Sequence, residues 1–133
     1  ALGRGCGPLL LRHGGGGFDP EAPVLAPGEG TTANFLLRHY LGGAPSRLEF
    51  VLFDRLYERL VAEPGAQGVV IHEKRFTYGR DGLTLIADLG EHWEATTGCP
   101  IPLGAIVARD GVDVAAAEAA VRESLAWADA HPD

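Results

Sequence analysis

The stretch VVIHEKRFTY, residues 69–78, carries the side chains best suited to acid–base chemistry. Its apolar beginning predicts a buried strand, and His72 follows that strand directly. An imidazole changes charge near neutral pH and can act as a general base, with Glu73, Arg75 and Tyr78 as supporting residues in the following loop. A strand-end histidine that only hydrogen-bonds a backbone carbonyl explains the same pattern at least as well.

A second stretch, PGEGTTANFLL, predicts a tight turn and the start of a helix. Gly28 and Gly30 allow the turn, and Thr31 or Thr32 can cap the helix. The N–H groups of a first helical turn, at the positive end of the helix dipole, suit a carboxylate or a phosphate. A purely structural cap is the more common use of such residues, and the pattern alone favours it.

Alternating strands and helices are predicted to position these two stretches. The turn at Thr32 opens a helix, Asp54 is placed to cap a second helix, and Asp113 is placed to cap the last one. The predicted strands cover residues 5–12, 22–30, 47–53, 67–73, 82–90 and 101–111, and residues 91–97 are predicted to form one or two helical turns. The last helix is predicted to bury a stripe formed by Val114, Ala117, Val121, Leu125 and Ala128.

This alternation is typical of an α/β domain with three layers, in which helices cover both faces of a mainly parallel sheet. The length of 133 residues fits a single domain, residues 1–133. In parallel sheets, ligands bind beyond the carboxyl ends of the strands and beside the starts of the following helices. His72 and the helix start at Thr31 are therefore predicted to lie at the same edge of the sheet. The period of two along a strand also predicts that His72 and Val70 share one face.

Composition argues against several classes of partner. The net charge of −7 and a single lysine, Lys74, disfavour nucleic acid, and the apolar runs are far shorter than the ~20 residues of a membrane helix. Cys6 and Cys99 form no CxxC motif and are predicted to be reduced thiols, and the histidines lack the spacing of a helical metal site. We therefore expect a small-molecule ligand, with no nucleic acid, membrane or metal.

The sequence contains no methionine and opens with ALGRGCGPLLL. It shows neither an initiating residue nor the charged and apolar regions of a signal peptide. We expect it to be a segment of a longer chain.

Several segments together resemble the central part of the 1,4-dihydroxy-6-naphthoate synthase family of the futalosine route to menaquinone. In order and spacing, they are ALGRGCGPLL, TTANFLL, FDRL, IHEKRFTYGRDGL, DLGEHWEATTGCPIPLGAIVAR and SLAWADAHPD. The resemblance covers nearly the whole chain and is weakest across HGGGGFDPEAPVLAPGEG. It implies one lobe of a two-lobed fold like that of type II periplasmic binding proteins, with the N-terminal lobe of the same chain absent from this sequence.

The same resemblance implies an activity and a set of roles. The expected enzyme is a cytoplasmic carbon–carbon lyase that converts cyclic dehypoxanthine futalosine to 1,4-dihydroxy-6-naphthoate without a metal or an organic cofactor. It implies that His72 is the catalytic base and that Thr31, Thr32, Ala33 and Asn34 bind substrate. Asn34 departs from the aromatic residue associated with its position. The isolated segment is expected to be inactive.

Two other functions fit the same features. One is a solute receptor lobe that binds a small carboxylate without reaction, because a fold does not determine a function. The other is chorismate dehydratase, a sister family with the same two-lobed fold. The IHEKRFTY segment resembles the naphthoate synthases and not this sister family.

Overall fold

A five-stranded sheet forms the centre of the structure, a computed structural model that describes residues 2–132. In chain order the elements are β1 (Leu2–Gly3), β2 (Leu9–His13), β3 (Val24–Ala26), α1 (Thr32–Leu41), β4 (Leu48–Phe50), α2 (Phe53–Ala62), β5 (Gln67–Val70), β6 (Leu83–Asp88), α3 (Leu89–Thr97), β7 (Ile101–Pro102) and α4 (Val114–Ala130). Two 3₁₀ helices, His72–Phe76 and Tyr78–Asp81, connect β5 to β6.

The sheet is mixed in direction. Its strands lie in the order β4-β3-β5-β2-β6, and β1 and β7 form a separate antiparallel pair. Strand β3 is parallel to β4 and to β5, whereas β2 is antiparallel to both β5 and β6. The predicted α/β class is confirmed, but antiparallel pairing is as frequent as parallel pairing in this sheet. The apolar pattern predicts where β2 lies along the chain and carries no information about its direction.

Helices cover both faces of the sheet, as the alternation of elements predicts. Along β2, Leu10 points to one face while Leu9 and Leu11 point to the other, which is the period of two expected of a strand. On the first face, α2 packs through Leu56, Tyr57 and Leu60. On the second face, α1 and α3 pack through Ala33, Leu36, Leu37 and Leu89. These two apolar cores hold the sheet edge that carries the site.

The cap of α2 differs from the prediction. The helix begins at Phe53, its N-cap residue is Leu52, and no side chain caps it. Asp54 instead lies in the first turn, where its Oδ1 accepts a hydrogen bond from the N–H of Arg55 at 2.9 Å. An aspartate stabilises a helix start in either position, because the first turn also carries the positive end of the dipole. The sequence pattern therefore does not distinguish the two.

The buried stripe predicted for α4 is wrong. Val114, Val121 and Leu125 are 53%, 42% and 61% exposed, and no residue of the helix is buried. The predicted strand before it is reduced to β7, and residues 103–112 are exposed. The cap was predicted correctly, since Asp113 Oδ1 accepts a hydrogen bond from Ala116 N at 3.0 Å. Apolar periodicity indicates which face of a helix could be buried, but no residue of α4 is buried by the other residues of the range 2–132.

None of the helices within residues 2–132 combines the length and the apolar content needed to cross a lipid bilayer.

Candidate active site

A cleft of about 300 Å³ brings the two chemically promising stretches together. Thr31, Thr32 and Ala33 line it from the start of α1, and Ile71 and His72 line it from the chain just after β5. The remaining lining residues are Cys6, Pro8, Pro27 and Leu103. The cleft therefore has polar groups at the helix start and the imidazole, with apolar walls between them.

The start of α1 is held by a threonine cap. Thr31 Oγ1 accepts a hydrogen bond from Asn34 N at 3.2 Å and donates one to Gly28 O at 2.8 Å. Thr32 Oγ1 donates to Pro102 O at 2.8 Å. Both hydroxyl protons are thus used within the protein. The donors that this turn offers to a ligand are the N–H groups of Thr32 and Ala33, which have no acceptor within the helix.

Asn34 does not line the cleft. Its side chain is buried, 2% exposed, and its Nδ2 donates to Glu29 O at 2.7 Å. Its Oδ1 is buried and has no hydrogen-bond partner among the residues that the structure describes. The side chain therefore supports the glycine-rich turn that precedes the helix.

His72 leaves the strand in an unusual backbone conformation. Strand β5 ends at Val70, and His72 has φ 60°, which makes it the one non-glycine residue with positive φ among residues 2–132. Positive φ is uncommon for residues other than glycine, although histidine adopts it more readily than most, and it persists only where the surrounding structure holds it. Because the strand has already ended, the prediction that His72 and Val70 share one face of the strand is wrong.

The imidazole of His72 is exposed and available to a ligand. Its ring lies edge-on to the Phe53 ring, with centroids 5.1 Å apart and planes at 83°. Within residues 2–132, no hydrogen bond to either ring nitrogen is present. The backbone carbonyl that a purely structural histidine would use is therefore not found.

The loop after His72 is held at two points. Arg75 Nη2 lies 3.3 Å from Asp88 Oδ2, and both side chains are largely buried. Further along, Tyr57 OH donates a hydrogen bond of 2.6 Å to Asp81 Oδ2, while Lys74 Nζ lies 4.7 Å from the centre of the Tyr57 ring. These contacts hold the two 3₁₀ helices against β6 and α2.

The three residues predicted to support His72 lie outside the cleft lining. Arg75 is occupied by its ion pair with Asp88, and Tyr78 packs against the core on the α2 side. Glu73 is exposed. The contacts of Arg75 and Tyr78 anchor the loop, and none of the three side chains lines the cleft.

Burial and the hydrogen bond to Asp81 raise the pKa of Tyr57 to about 12. The folded protein therefore keeps this proton at a pH at which the unfolded chain has lost it. Stability from this group is fully present below pH 10, the ordinary pKa of tyrosine, and is lost as the pH rises toward 12.

We expect a Tyr57→Phe variant to show a shallower decline in the free energy of unfolding between pH 10 and 12 than the wild type. Urea unfolding at several pH values, monitored by circular dichroism, measures this decline. A Tyr40→Phe variant, on the opposite face of the sheet, serves as the control. Equal slopes for the wild type and Tyr57→Phe would show that the Tyr57–Asp81 hydrogen bond does not hold the proton.

Sequence reasoning missed several residues of the site. Cys6 and Leu103 come from segments far apart in the chain, and only the folded structure places them in one cleft. Cys6 and Cys99 are both free and exposed. The apolar pattern assigns Asp88 only to a strand, although an aspartate followed by a helical segment is a recognisable capping signal.

Within residues 2–132, no group of three or more His, Cys, Asp and Glu side chains is arranged to hold a metal.

This chain is an α/β domain with an open cleft beside a helix start, at the end of the sheet where domains of this class commonly bind small molecules. Within this class, the chain belongs to the menaquinone biosynthesis family, whose model matches residues 1–133. Two relatives carry the name 1,4-dihydroxy-6-naphtoate synthase. The Thermus thermophilus protein is 44% identical and the Streptomyces coelicolor protein 41% identical.

These alignments cover nearly all of this chain but only part of each relative. The alignments cover 100% and 97% of this chain but 49% of each relative, so the chain spans about half the length of the curated relatives it matches. A crystal structure of protein AF1704 from Archaeoglobus fulgidus is similar with a TM-score of 0.81 and 32% identity. That match covers 100% of this chain and 50% of the other.

Proposed function

We propose that this chain is one lobe of a 1,4-dihydroxy-6-naphthoate synthase, a cytoplasmic lyase of menaquinone biosynthesis. The whole enzyme would convert cyclic dehypoxanthine futalosine to 1,4-dihydroxy-6-naphthoate, and it would need no metal or organic cofactor. Two relatives above 40% identity that bear this name support the proposal, as does the family match over the full chain.

The proposed architecture is a two-lobed fold like that of type II periplasmic binding proteins. Helices on both faces of a central sheet, and a chain that aligns with half of each relative, support it. The N-terminal lobe would close over the cleft and complete the binding site. A single lobe would then bind weakly, because catalysis requires groups from both sides held in position around the substrate.

The proposed roles of these residues are supported by one observation, that His72 and the start of α1 line the same cleft. His72 would remove a proton from the sugar-ring side of the substrate, since its ring is exposed and has no protein acceptor or donor within the described residues. The N–H groups of Thr32 and Ala33 would bind the carboxylate or hydroxyl groups, helped by the helix dipole. The apolar walls would contact the aromatic part of the substrate.

The other predicted residues take indirect roles in this proposal. Thr31 fixes the orientation of the first helical turn, and Asn34 fixes the turn before it. Glu73, Arg75 and Tyr78 belong to the loop that carries His72. The side chains of Arg75 and Tyr78 would hold that loop, and none of the three would contact the substrate.

A binding map tests the location of the site. We expect 1,4-dihydroxy-6-naphthoate, titrated into the isotope-labelled full-length enzyme, to shift the amide resonances of Thr32 and Ala33 and the imidazole resonances of His72. A wider surface groove of about 730 Å³, lined by Phe50, Leu52 and Arg55 among others, provides an internal comparison. Shifts confined to that groove would show that the proposed cleft is not the binding site.

A further inference from the structure

The Asp88 carboxylate is shared between two structures beside the cleft. Its Oδ1 accepts hydrogen bonds from Gly90 N at 2.9 Å and from Glu91 N at 3.0 Å, and these cap α3. Its Oδ2 accepts from Arg75 Nη2 at 3.3 Å. The Arg75 and Asp88 side chains are only 16% and 20% exposed, which limits the screening of this pair by water. One carboxylate therefore joins the start of α3 to the loop that carries His72.

The start of α3 also holds a wall of the cleft. Leu89 N donates a hydrogen bond of 3.0 Å to the carbonyl of Pro8, which lines the cleft. Next to it, the backbones of Gly7 and Gly90 are in direct contact, so close that a Cβ on Gly7 would clash with Gly90 Cα. Asp88 thus fixes the His72 loop relative to the same helix turn that fixes the wall at residues 6–8.

His72 needs such a constraint more than other residues of the loop. Its left-handed backbone, with φ 60°, opens the 3₁₀ helix His72–Phe76, and Arg75 lies one turn further along the same helix. Without the ion pair between Arg75 and Asp88, the 3₁₀ helix would no longer be bonded to the residue that ends β6 and caps α3. The His72 backbone could then relax to a more common conformation, and the imidazole would move relative to the cleft.

We propose that the Arg75–Asp88 ion pair is a positioning device for His72. It touches no substrate, and it acts by holding the imidazole at a fixed place relative to the start of α1 and the wall at residues 6–8. This inference rests on the proposed function, in which His72 is the base. A displacement of a reacting group by about 1 Å can cost about 100-fold in rate, so a tie of this kind affects kcat strongly.

The test uses Arg75→Gln and Asp88→Asn in the full-length enzyme. The amide introduced by Asp88→Asn keeps a carbonyl oxygen for the α3 cap but carries no charge, so the two substitutions share only the loss of the ion pair. We expect each to lower kcat about 10- to 100-fold and to change KM less than about 3-fold. Arg75→Lys, which keeps the charge, is expected to restore part of kcat. Arg80→Gln, an exposed arginine of the same loop, is the matched control and is expected to behave as the wild type.

A second measurement tests whether the ion pair positions His72, independently of any general loss of folding and of the proposed reaction. The imidazole resonances of His72 are recorded in each folded variant, and we expect them to shift in Arg75→Gln and Asp88→Asn but not in Arg80→Gln. Unchanged resonances, or wild-type kcat in both variants while His72→Asn is inactive, would overturn the positioning role. Shifted resonances in an enzyme whose wild type releases no naphthoate would support the positioning role and refute the proposed function.

Discussion

Replacing His72 by Asn is expected to lower the kcat of the full-length enzyme by about 100- to 10,000-fold, the range typical of a lost general base. The amide of Asn cannot accept the proton that the imidazole removes. Asparagine nevertheless tolerates the left-handed backbone found at this position, with φ 60°, so the loop is expected to keep its shape. Substrate binding should therefore remain close to that of the wild type. Steady-state kinetics and calorimetric titration measure the two effects separately.

The control is the same substitution at a histidine outside the cleft. His39 lies in the last turn of α1, at the opposite end of the helix from the cleft, where its Nε2 contacts Thr96 Oγ1 at 3.1 Å. His39→Asn is expected to leave kcat within about 2-fold of the wild type, because its side chain touches no part of the cleft. If His72→Asn keeps near wild-type kcat, His72 is not the base. If His39→Asn loses as much activity as His72→Asn, the loss does not report on the cleft.

Replacing Gly90 by Ala is expected to destabilise the fold by about 3 kcal/mol, at the upper end of the usual cost of overpacking. The new Cβ would lie 2.5 Å from Gly7 Cα, 2.9 Å from Gly7 N and 2.7 Å from Ile101 Cδ1. Two of these three atoms belong to the backbone, so no side-chain rotation relieves the clash. Separating the two segments also strains the hydrogen bond from Leu89 N to Pro8 O. The Gly90→Ala variant should therefore lose both packing and part of the cleft wall.

The direction of the change in the free energy of unfolding distinguishes a close backbone contact at Gly90 from an ordinary helix position. Gly90 lies in the first turn of α3, and in an exposed helix interior a Gly→Ala change is worth up to about 1 kcal/mol in favour of the folded state. Urea unfolding of Gly90→Ala and of a control, Gly79→Ala, measures the change in the free energy of unfolding. A Cβ at Gly79 meets no atom within 4 Å, so that variant should be at least as stable as the wild type. A Gly90→Ala protein as stable as the wild type would show that the two backbones do not pack as closely as described.

The parts of the fold that could be predicted from sequence depend on local interactions. The start of helix α1 was predicted because Gly28, Gly30 and the threonine cap at Thr31 all lie within a few residues of it. The cap of α4 at Asp113 is local in the same way. The positions of both chemically promising stretches followed from such signals.

The incorrect parts depend on contacts between distant segments. The direction of β2 is determined by pairing with β5 and β6, which lie far later in the chain. Likewise, the apolar stripe of α4 is a sound amphipathic pattern, but a pattern does not say which surface covers it. Its residues are exposed within the part of the chain that the structure describes.

For the site, as for the fold, the sequence predicted the location of the main residues but not their detailed geometry. The occurrence of His72 and Thr31 at one sheet edge follows from the order of strand and helix. The left-handed backbone at His72, the thiol of Cys6 in the cleft and the shared carboxylate of Asp88 follow from three-dimensional packing. No pattern of residue types in a single sequence carries that information.

The most direct test of the proposed function is an assay of the full-length protein with cyclic dehypoxanthine futalosine, in which released 1,4-dihydroxy-6-naphthoate is measured by chromatography. We expect repeated turnover by the wild type without added metal or cofactor, and loss of turnover in His72→Asn. A folded wild-type protein that binds the substrate and releases no naphthoate would contradict the proposed function and would favour a solute receptor instead.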